Sequence, residues 1–326
     1  MAINTQLGFK NESTWGTPVT VDRFYPLLSE NISPVVERLQ TEARRAGEFV
    51  LRDDAVPIVK GYAGTVEIPV YNKDFSFWGV HLLGTNTTTG PTDSLFSHTA
   101  TVGDLKGDSF TLQVNRPLHD AGTNQAFTYE GGKVVSWEFT AGVSEEAKLS
   151  MECDFENAST ATALATASYS SGMELLNWAH ASSVLSIGGS NYPITKFSLK
   201  VDNKAKTDRH YVRGSALKAE QVAEGLREIS WDLEGDFSDL ATGYNRVVAA
   251  TNAAAHAQII VTLKSNTLVG AASFAGVTIT IPKARFDEIS IENAMDPNTQ
   301  SLSGTAWFDG TNSAVTLLTN TSVATA

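Results

Sequence analysis

The clearest pattern in the chain is an alternation of apolar and polar residues between Gly132 and Glu156. The apolar positions before the turn are Val135, Trp137 and Phe139, and those after it are Leu149, Met151 and Cys153. Alternation on both sides of a turn that contains Gly142 predicts a β-hairpin. Because successive side chains of a strand point to opposite faces, one face of this hairpin should cover a core and the other should face water.

The polar face of this pattern is acidic, and the same arrangement returns twice further along the chain. The segments 228–237 and 286–293 again alternate apolar residues with carboxylates. The acidic positions of the three segments are Glu138, Glu152, Asp154, Asp232, Glu234, Asp236, Glu288 and Glu292. One such face is typical of any solvated sheet. Its recurrence predicts a shared acidic wall, with Trp137 and Trp231 in the core beneath it.

The rest of the chain predicts a mainly β protein, a sandwich or barrel with a flanking short helix and long projecting loops or hairpins. The helix should run from Asp74, a good N-cap, to Gly84, a good C-cap. Two further short helices are expected at 172–180 and 240–255, and a loop at 85–93.

Domain organisation is less sharply marked. Residues 1–34 lack periodicity and are predicted to form an ordered arm before a β domain at 35–326. The low-complexity stretch near 157–172 is the best boundary between two β-rich halves. A weak echo between VSWEF near 135 and EISIEN near 288 fits a duplication, but similar hairpins in any β protein would give the same echo.

Two segments, 35–60 and 204–225, carry charges of both signs and are predicted to project from the body. Mixed charge in a projection suits either a solvated loop or a complementary contact with another copy of the same protein. The residues expected at such a contact are Arg44, Arg45, Arg52, Asp53, Asp54, Arg209 and Arg213.

Composition limits the functions that the chain can have. The formal net charge of -12 argues against binding nucleic acid through its phosphates, which requires Lys and Arg. The single cysteine, Cys153, lies on the apolar face and should be a buried thiol. The N-terminus shows no signal-peptide pattern, and no apolar run is long enough to span a membrane. No motif typical of catalysis or metal binding occurs, so we expect no enzyme activity, no cofactor and no metal.

The order of these segments resembles the tail tube (major tail) proteins of long-tailed, non-contractile bacteriophages. The resemblance rests on LGFKNESTWGTPV and YPLLSE, then GYAGTVEIPV and the helix ending HLLG, then FSHTATVGDLKGDSFTLQV, YEGGKVVSWEF, AKLSMECDFE and ITKFSLKVDN. It covers most of the chain and is one of layout, without a diagnostic motif.

The resemblance implies a β-sandwich whose subunits join their sheets around a ring, usually of six copies, and stack into a tube through which genomic DNA leaves the particle. Its implied partners are further copies of itself, the tape measure protein, the tail terminator and the distal tail or baseplate proteins. The implied location is the tail of the virion, after synthesis in the host bacterial cytoplasm. No C-terminal immunoglobulin-like domain, present in many members, is expected here. Ring size, six copies or three copies of a duplicated chain, is left open.

The acidic faces agree with this role, because carboxylates on a channel wall repel phosphates and leave DNA no site to bind. The competing interpretations are another virion β protein, such as a capsid-decorating or baseplate component, and a soluble enzyme or carbohydrate-binding module.

Overall fold

The computed structural model describes residues 5–43, 46–47, 49–50, 55–119, 123–178, 185–212, 214–293 and 298–325. In chain order, the first strands are β1 (Gln6–Asn11), β2 (Arg23–Tyr25), β3 (Ser29–Glu30), β4 (Ser33–Leu39), β5 (Val56–Pro69), β6 (Gly84–Thr92), β7 (Leu95–Val102), β8 (Phe110–Asn115), β9 (Ala126–Gly142), β10 (Glu145–Phe155) and β11 (Asn157–Ser159). The strands that follow are β12 (Leu185–Ile187), β13 (Ser190–Asn191), β14 (Ile194–Asp202), β15 (Ala205–Lys206), β16 (Val222–Ala223), β17 (Glu228–Asp236), β18 (His256–Leu268), β19 (Phe274–Glu292), β20 (Thr299–Ala306) and β21 (Thr316–Thr321). The helices are α1 (Trp78–Leu83), which follows a 3-10 turn at Phe75–Phe77, and α2 (Tyr244–Val247). The predicted mainly β fold is confirmed.

Eight strands form one continuous antiparallel sheet, which we call the long sheet. Their order is β4–β5–β10–β9–β14–β17–β20–β19. The predicted hairpin, β9 with β10, lies inside this sheet, where Trp137 is opposite Met151 and Phe139 is opposite Leu149. The apolar pairs fix this register, because a slip of one residue would turn every apolar side chain toward solvent.

Two strands, β9 and β19, are long enough to pass from the long sheet into a second layer. The first part of β9 pairs with β8 and β11, and its later part pairs with β10 and β14. In the same way, the first part of β19 pairs with β18 and β21 before the strand reaches β20. The second layer therefore contains the rows β2–β1–β8–β9–β11 and β13–β12–β18–β19–β21–β7–β6.

An aromatic cluster around α1 joins the two layers. Phe9 of β1 packs against Phe77 and Trp78, with ring centroids 4.4 and 4.9 Å apart. Trp78 contacts Phe110 of β8 at 5.5 Å, and Phe110 contacts Phe155 of β10 at 5.8 Å. Tilted and edge-to-face contacts of this kind stabilise the fold beyond the burial of apolar area.

The end of α1 is as predicted, but its beginning is not. Gly84 has a φ of 101°, and its N–H donates to the carbonyl of Val80. A Cβ at this position would lie 2.6 Å from the backbone of Gly103, so glycine is required for the close approach as well as for the positive φ. Asp74 makes no capping hydrogen bond; its carboxylate accepts one from the Ser170 hydroxyl instead.

Three other local predictions were wrong. The expected loop at 85–93 is the strand β6, because its threonines are β-branched and pair with β7. The expected helix at 240–255 is reduced to α2, which buries no side chain and so gains little from packing. In place of a helix at 172–180, the described residues are irregular and are held by bridges at Leu175 and Asn177.

The first residues pack into the second layer and do not lie over it as an arm. β1 pairs along its whole length with β8 and also contacts β2. Leu7 and Phe9 on β1 are fully buried. The alternating run is too short to reveal this strand in the sequence.

Trp231 should be costly to truncate. It is fully buried and packs edge-on against Phe286 with ring centroids 4.8 Å apart. We expect Trp231→Ala to lower the free energy of unfolding by about 3–5 kcal/mol, measured by chemical denaturation, because the cavity cannot collapse fully. The matched control, Trp307→Ala, truncates a half-exposed indole. Equal losses in the two variants would contradict the assignment of the buried face.

Candidate functional site: the acidic face of the long sheet

Seven of the eight predicted carboxylates lie on the face of the long sheet that points away from the core. Six are exposed, and Glu138 is half-buried. The register separates them with small hydroxyl residues: Ser198 is opposite Asp232, and Ser303 lies between Asp232 and Glu288. The alternation of the sequence therefore brings residues from distant segments onto one surface, which we call the acidic face.

Four carboxylates line a depression of about 440 Å³ in the acidic face: Glu138, Asp232, Glu234 and Glu288. The Ser198 hydroxyl donates a hydrogen bond to Glu138 Oε1 at 2.7 Å. The Ser136 hydroxyl does the same for Glu152 Oε2 at 2.9 Å. Hydroxyl donors of this kind stabilise closely spaced carboxylates without neutralising them.

Asp232 is the carboxyl group whose ionised form is disfavoured by its surroundings. Partial desolvation by the neighbouring strands raises the pKa of Asp232, and the negative charges of Glu138, Glu234 and Glu288 raise it further. Carboxylates on three strands, β9, β17 and β19, therefore act on Asp232.

The acidic face also carries lysines that the sequence analysis overlooked. Lys200 is opposite Glu138, and Lys196 is opposite Glu234. Lys148 lies 3.0 Å from Glu67 on β5. The signal was present, since the predicted strand ITKFSLKVD places both Lys196 and Lys200 on its polar side. The face is therefore an acidic surface with interspersed lysines and not a purely negative one.

The prediction that Asp154 shares the acidic face was wrong. Asp154 is buried, and its carboxylate accepts hydrogen bonds from Lys218 Nζ at 2.5 Å and from Gln221 Nε2 at 2.7 Å. Burial raises the pKa of Asp154, while the Lys218 ammonium opposes that shift. Alternation placed Asp154 on the polar side correctly, but the segment that carries Lys218 and Gln221 covers that side at the end of β10.

The predicted projection at 204–225 is thus partly folded onto the body. A second buried ion pair holds it there: Lys133 Nζ lies 2.7 Å from Glu220 Oε1, and the Lys133 side chain is 2% exposed. Arg209 is turned inward on the same segment, where its guanidinium donates to the backbone carbonyl of Glu220 and to the Tyr211 hydroxyl.

The other residues expected at a contact between copies lie outside the described residues. They are Arg44, Arg45, Arg52, Asp53, Asp54 and Arg213. The strands that lead to and from the first projection are β4 and β5, which form a hairpin.

No converging group of three or more His, Cys, Asp or Glu side chains that could hold a metal ion occurs within the described ranges. No helix in the part of the chain that the structure describes is both long and apolar enough to cross a membrane. The geometry thus defines an antiparallel β protein that displays a broad polar sheet face. The chain belongs to the phage tail tube protein family, whose model matches residues 2–311. A comparison with curated proteins found no match.

The buried pair of Asp154 and Lys218 should be costly to break on one side only. Lys218→Met removes the ammonium and leaves a buried carboxylate, so the free energy of unfolding should fall by about 3–5 kcal/mol. Adding Asp154→Asn removes the remaining charge and should recover most of the loss. The control is Lys204→Met, whose ammonium makes exposed ion pairs with Asp202 and Glu228 and should change stability little. If the double variant were no more stable than Lys218→Met, the pair would not be the cause.

Asp232→Asn should raise the melting temperature at neutral pH. The pKa of Asp232 is raised in the folded protein, so ionisation of this group weakens folding above that pKa and has no effect below its ordinary value of 3.8. The gain from the substitution should therefore disappear as the pH falls toward 3.8. Thermal scans over this range, with Asp236→Asn on the same strand as control, test the effect. A gain that persisted at low pH would contradict the electrostatic origin.

Proposed function

We propose that the protein assembles with copies of itself into stacked rings that form the tail tube of a long-tailed, non-contractile phage, with the acidic face lining the channel for genomic DNA. Membership in the tail tube family supports the structural role. The observation that carries the channel assignment is the placement of seven carboxylates from three distant segments on one uncovered sheet face.

The chemistry of this face suits a conduit. A duplex that moves past it meets carboxylates, which repel phosphates, and serine hydroxyls, which bind them weakly as isolated groups. The lysines stand opposite or beside carboxylates and so present little uncompensated positive charge. Salt screens exposed charges over about 8 Å at physiological ionic strength, so the repulsion acts close to the wall.

The remaining parts of the proposal follow from the resemblance. The tube would meet the tape measure protein inside, the tail terminator at one end and the distal tail or baseplate proteins at the other. DNA would pass without specific binding, and the mature protein would reside in the virion tail after synthesis in the host cytoplasm. The projection at 35–60 is proposed to contact neighbouring copies, because it carries charges of both signs.

Charge reversal of the acidic face tests this proposal. The triple variant Glu138→Lys, Glu152→Lys and Asp232→Lys should still assemble but should retain DNA at low salt, because the new ammonium groups bind phosphates. Binding of short duplex DNA to purified tubes and the rate of genome ejection from virions are the measurements. Both defects should recede at high salt.

The matched control reverses three exposed carboxylates in the turns that connect strands of the second layer: Asp22, Asp93 and Asp104. Those tubes should neither bind DNA nor eject it slowly. Negative-stain microscopy of the unmodified protein supplies the second arm. Discrete particles in place of hollow tubes would favour a capsid-decorating or baseplate component, and a tube with Glu138 and Asp232 on its outer surface would refute the channel assignment.

A further inference from the structure

The same strand order occurs twice in the long sheet and twice in the second layer. Within residues 5–159 the long sheet runs β4–β5–β10–β9, and within residues 185–321 it runs β14–β17–β20–β19. The second layer repeats β2–β1–β8–β9–β11 as β13–β12–β18–β19–β21. A helix follows the corresponding strands β5 and β17 in both cases. We call these two ranges unit 1 and unit 2. The pair of strands β3 and β4 corresponds to β14, and among the described strands only the β6–β7 hairpin and the small β15–β16 pair lack counterparts.

An irregularity in the hydrogen-bond ladder recurs at the same place in both units. The hairpin β9–β10 keeps its register over five pairs, from Thr140 opposite Lys148 to Ser136 opposite Glu152, and then slips by one residue. The hairpin β19–β20 also keeps its register over five pairs, from Glu292 opposite Thr299 to Glu288 opposite Ser303, and then slips by one. Generic hairpins have no reason to share the position of a bulge, so the match supports the equivalence of the units.

This equivalence sets a residue-level correspondence between the units. Ser136 matches Glu288, Glu138 matches Ser290 and Phe139 matches Ile291, counting from the shared slip. Ala63 lies against β10 at the place where Ser230 lies against β20. The pair of Ser33 and Ala63 on β4 and β5 therefore matches the pair of Lys200 and Ser230 on β14 and β17.

In the long sheet the two units meet along one seam inside the chain, while in the second layer β7 of unit 1 pairs with β21 of unit 2. β14 of unit 2 pairs with the edge of β9 in unit 1, from Lys196 opposite Gly142 to Asp202 opposite Ser136. The backbone N–H of Asn203 donates to the carbonyl of Val135 across this seam. One unit thus docks on the next by adding its first long-sheet strand to the last strand of the unit before it.

Both ends of the eight-strand row lack such a neighbour in the described part of the chain. Among the described residues, the edge of β19 beyond Phe286 has no strand partner on the side away from β20; Phe286 itself still donates its N–H to the carbonyl of Ala255. Ile291 there is 39% exposed, whereas its counterpart Phe139 is 1% exposed. At the other end, every residue of β4 is exposed, including Val35 and Val36. An exposed edge that carries apolar residues is a template for another strand.

We propose that β19 of one copy pairs with β3 and β4 of the next copy in the way that β9 pairs with β14 within the chain, so that each chain supplies two successive units of the ring wall and a six-unit ring contains three chains. The contact is head-to-tail, as ring closure requires. The proposal rests on the ring-forming function proposed above and specifies its interface and its copy number.

Pro34 limits indiscriminate strand pairing at the free edge of β4. The backbone N–H of Asn31 donates to the carbonyl of Thr65 on β5. Because successive backbone nitrogens of a strand point to opposite edges, the nitrogen of Pro34, three residues later, points toward the free edge. Proline there removes one donor from the ladder with the next copy. An edge that is one hydrogen bond poorer resists indiscriminate strand pairing, and side-chain packing must then select the correct partner.

The width of the wall also favours three chains. Eight strands spaced about 4.8 Å apart and tilted by about 40° cover about 50 Å of circumference. Three chains would close a barrel about 48 Å across between backbones, and six would close one about 95 Å across. With a screening length of about 8 Å, carboxylates on the wider wall would have little effect on DNA near the axis.

A disulfide placed across the predicted seam tests the proposal. Within the chain, Lys200 and Glu138 form a non-hydrogen-bonded pair of the antiparallel ladder. The counterpart of this pair across the predicted seam is Ser33 of one copy and Ser290 of the next. Their Cα atoms should lie about 4.5 Å apart, which is within disulfide range. The full-length variant Ser33→Cys with Ser290→Cys is oxidised and examined by denaturing, non-reducing electrophoresis. The native Cys153 is buried and should not take part. The expected product is a closed covalent trimer that reducing agent converts to monomer.

The control, Ser33→Cys with Glu288→Cys, shifts one thiol by two residues, to a diagonal separation of about 8 Å, and should give little product. A closed hexamer would overturn the three-chain ring, and tubes that form without any seam disulfide would overturn the seam while leaving the proposed function intact. Covalent trimers from a protein that never forms tubes would support the seam and count against the tube.

Discussion

The two-faced geometry of β9 is the constraint on which the rest of the structure depends. Its side chains alternate between the core and the polar surface, its N-terminal part belongs to the second layer, and its C-terminal part holds β10 on one edge and β14 on the other. With both edges occupied, a slip of one residue would expose Trp137 and Phe139 and disrupt both neighbouring strands at once. The indole N–H of Trp137 also donates to the Leu82 carbonyl at the end of α1, which ties the helix to the same strand.

Buried ion pairs are a second kind of contact that orders the chain. Lys133 with Glu220 and Lys218 with Asp154 fix the segment 204–225 against the long sheet. Burying such charges gives up hydration, so these pairs contribute geometry more than stability. The segment consequently presents a defined surface at the end of β10, and the acidic face ends where this segment covers it.

The acidic face carries carboxylates that repel one another and lysines that reduce this repulsion. A wall of carboxylates alone would destabilise the folded chain through self-repulsion, and the raised pKa of Asp232 shows that this repulsion is present. Lys196 and Lys200, opposite Glu234 and Glu138, relieve part of it. The arrangement suits the channel wall proposed above, which must repel a polyanion without preventing its own assembly.

The sequence by itself determined the strands whose alternation is long: β10, β14, β17 and the later parts of β9 and β19 could be read from period-two patterns, as could the burial of Trp137 and Trp231. It also placed seven carboxylates on a common type of face, because alternation is a local property of each strand. It could not find β1, whose apolar run is too short. It also could not exclude a helix at 240–255, where the residues of α2 are at most partly buried. Only the tertiary structure decided that Asp154 is buried, that lysines stand opposite Glu138 and Glu234, and which strands are neighbours. Those outcomes depend on pairing between residues far apart in the chain, and the local pattern of hydrophobic and polar positions carries no information about such partners.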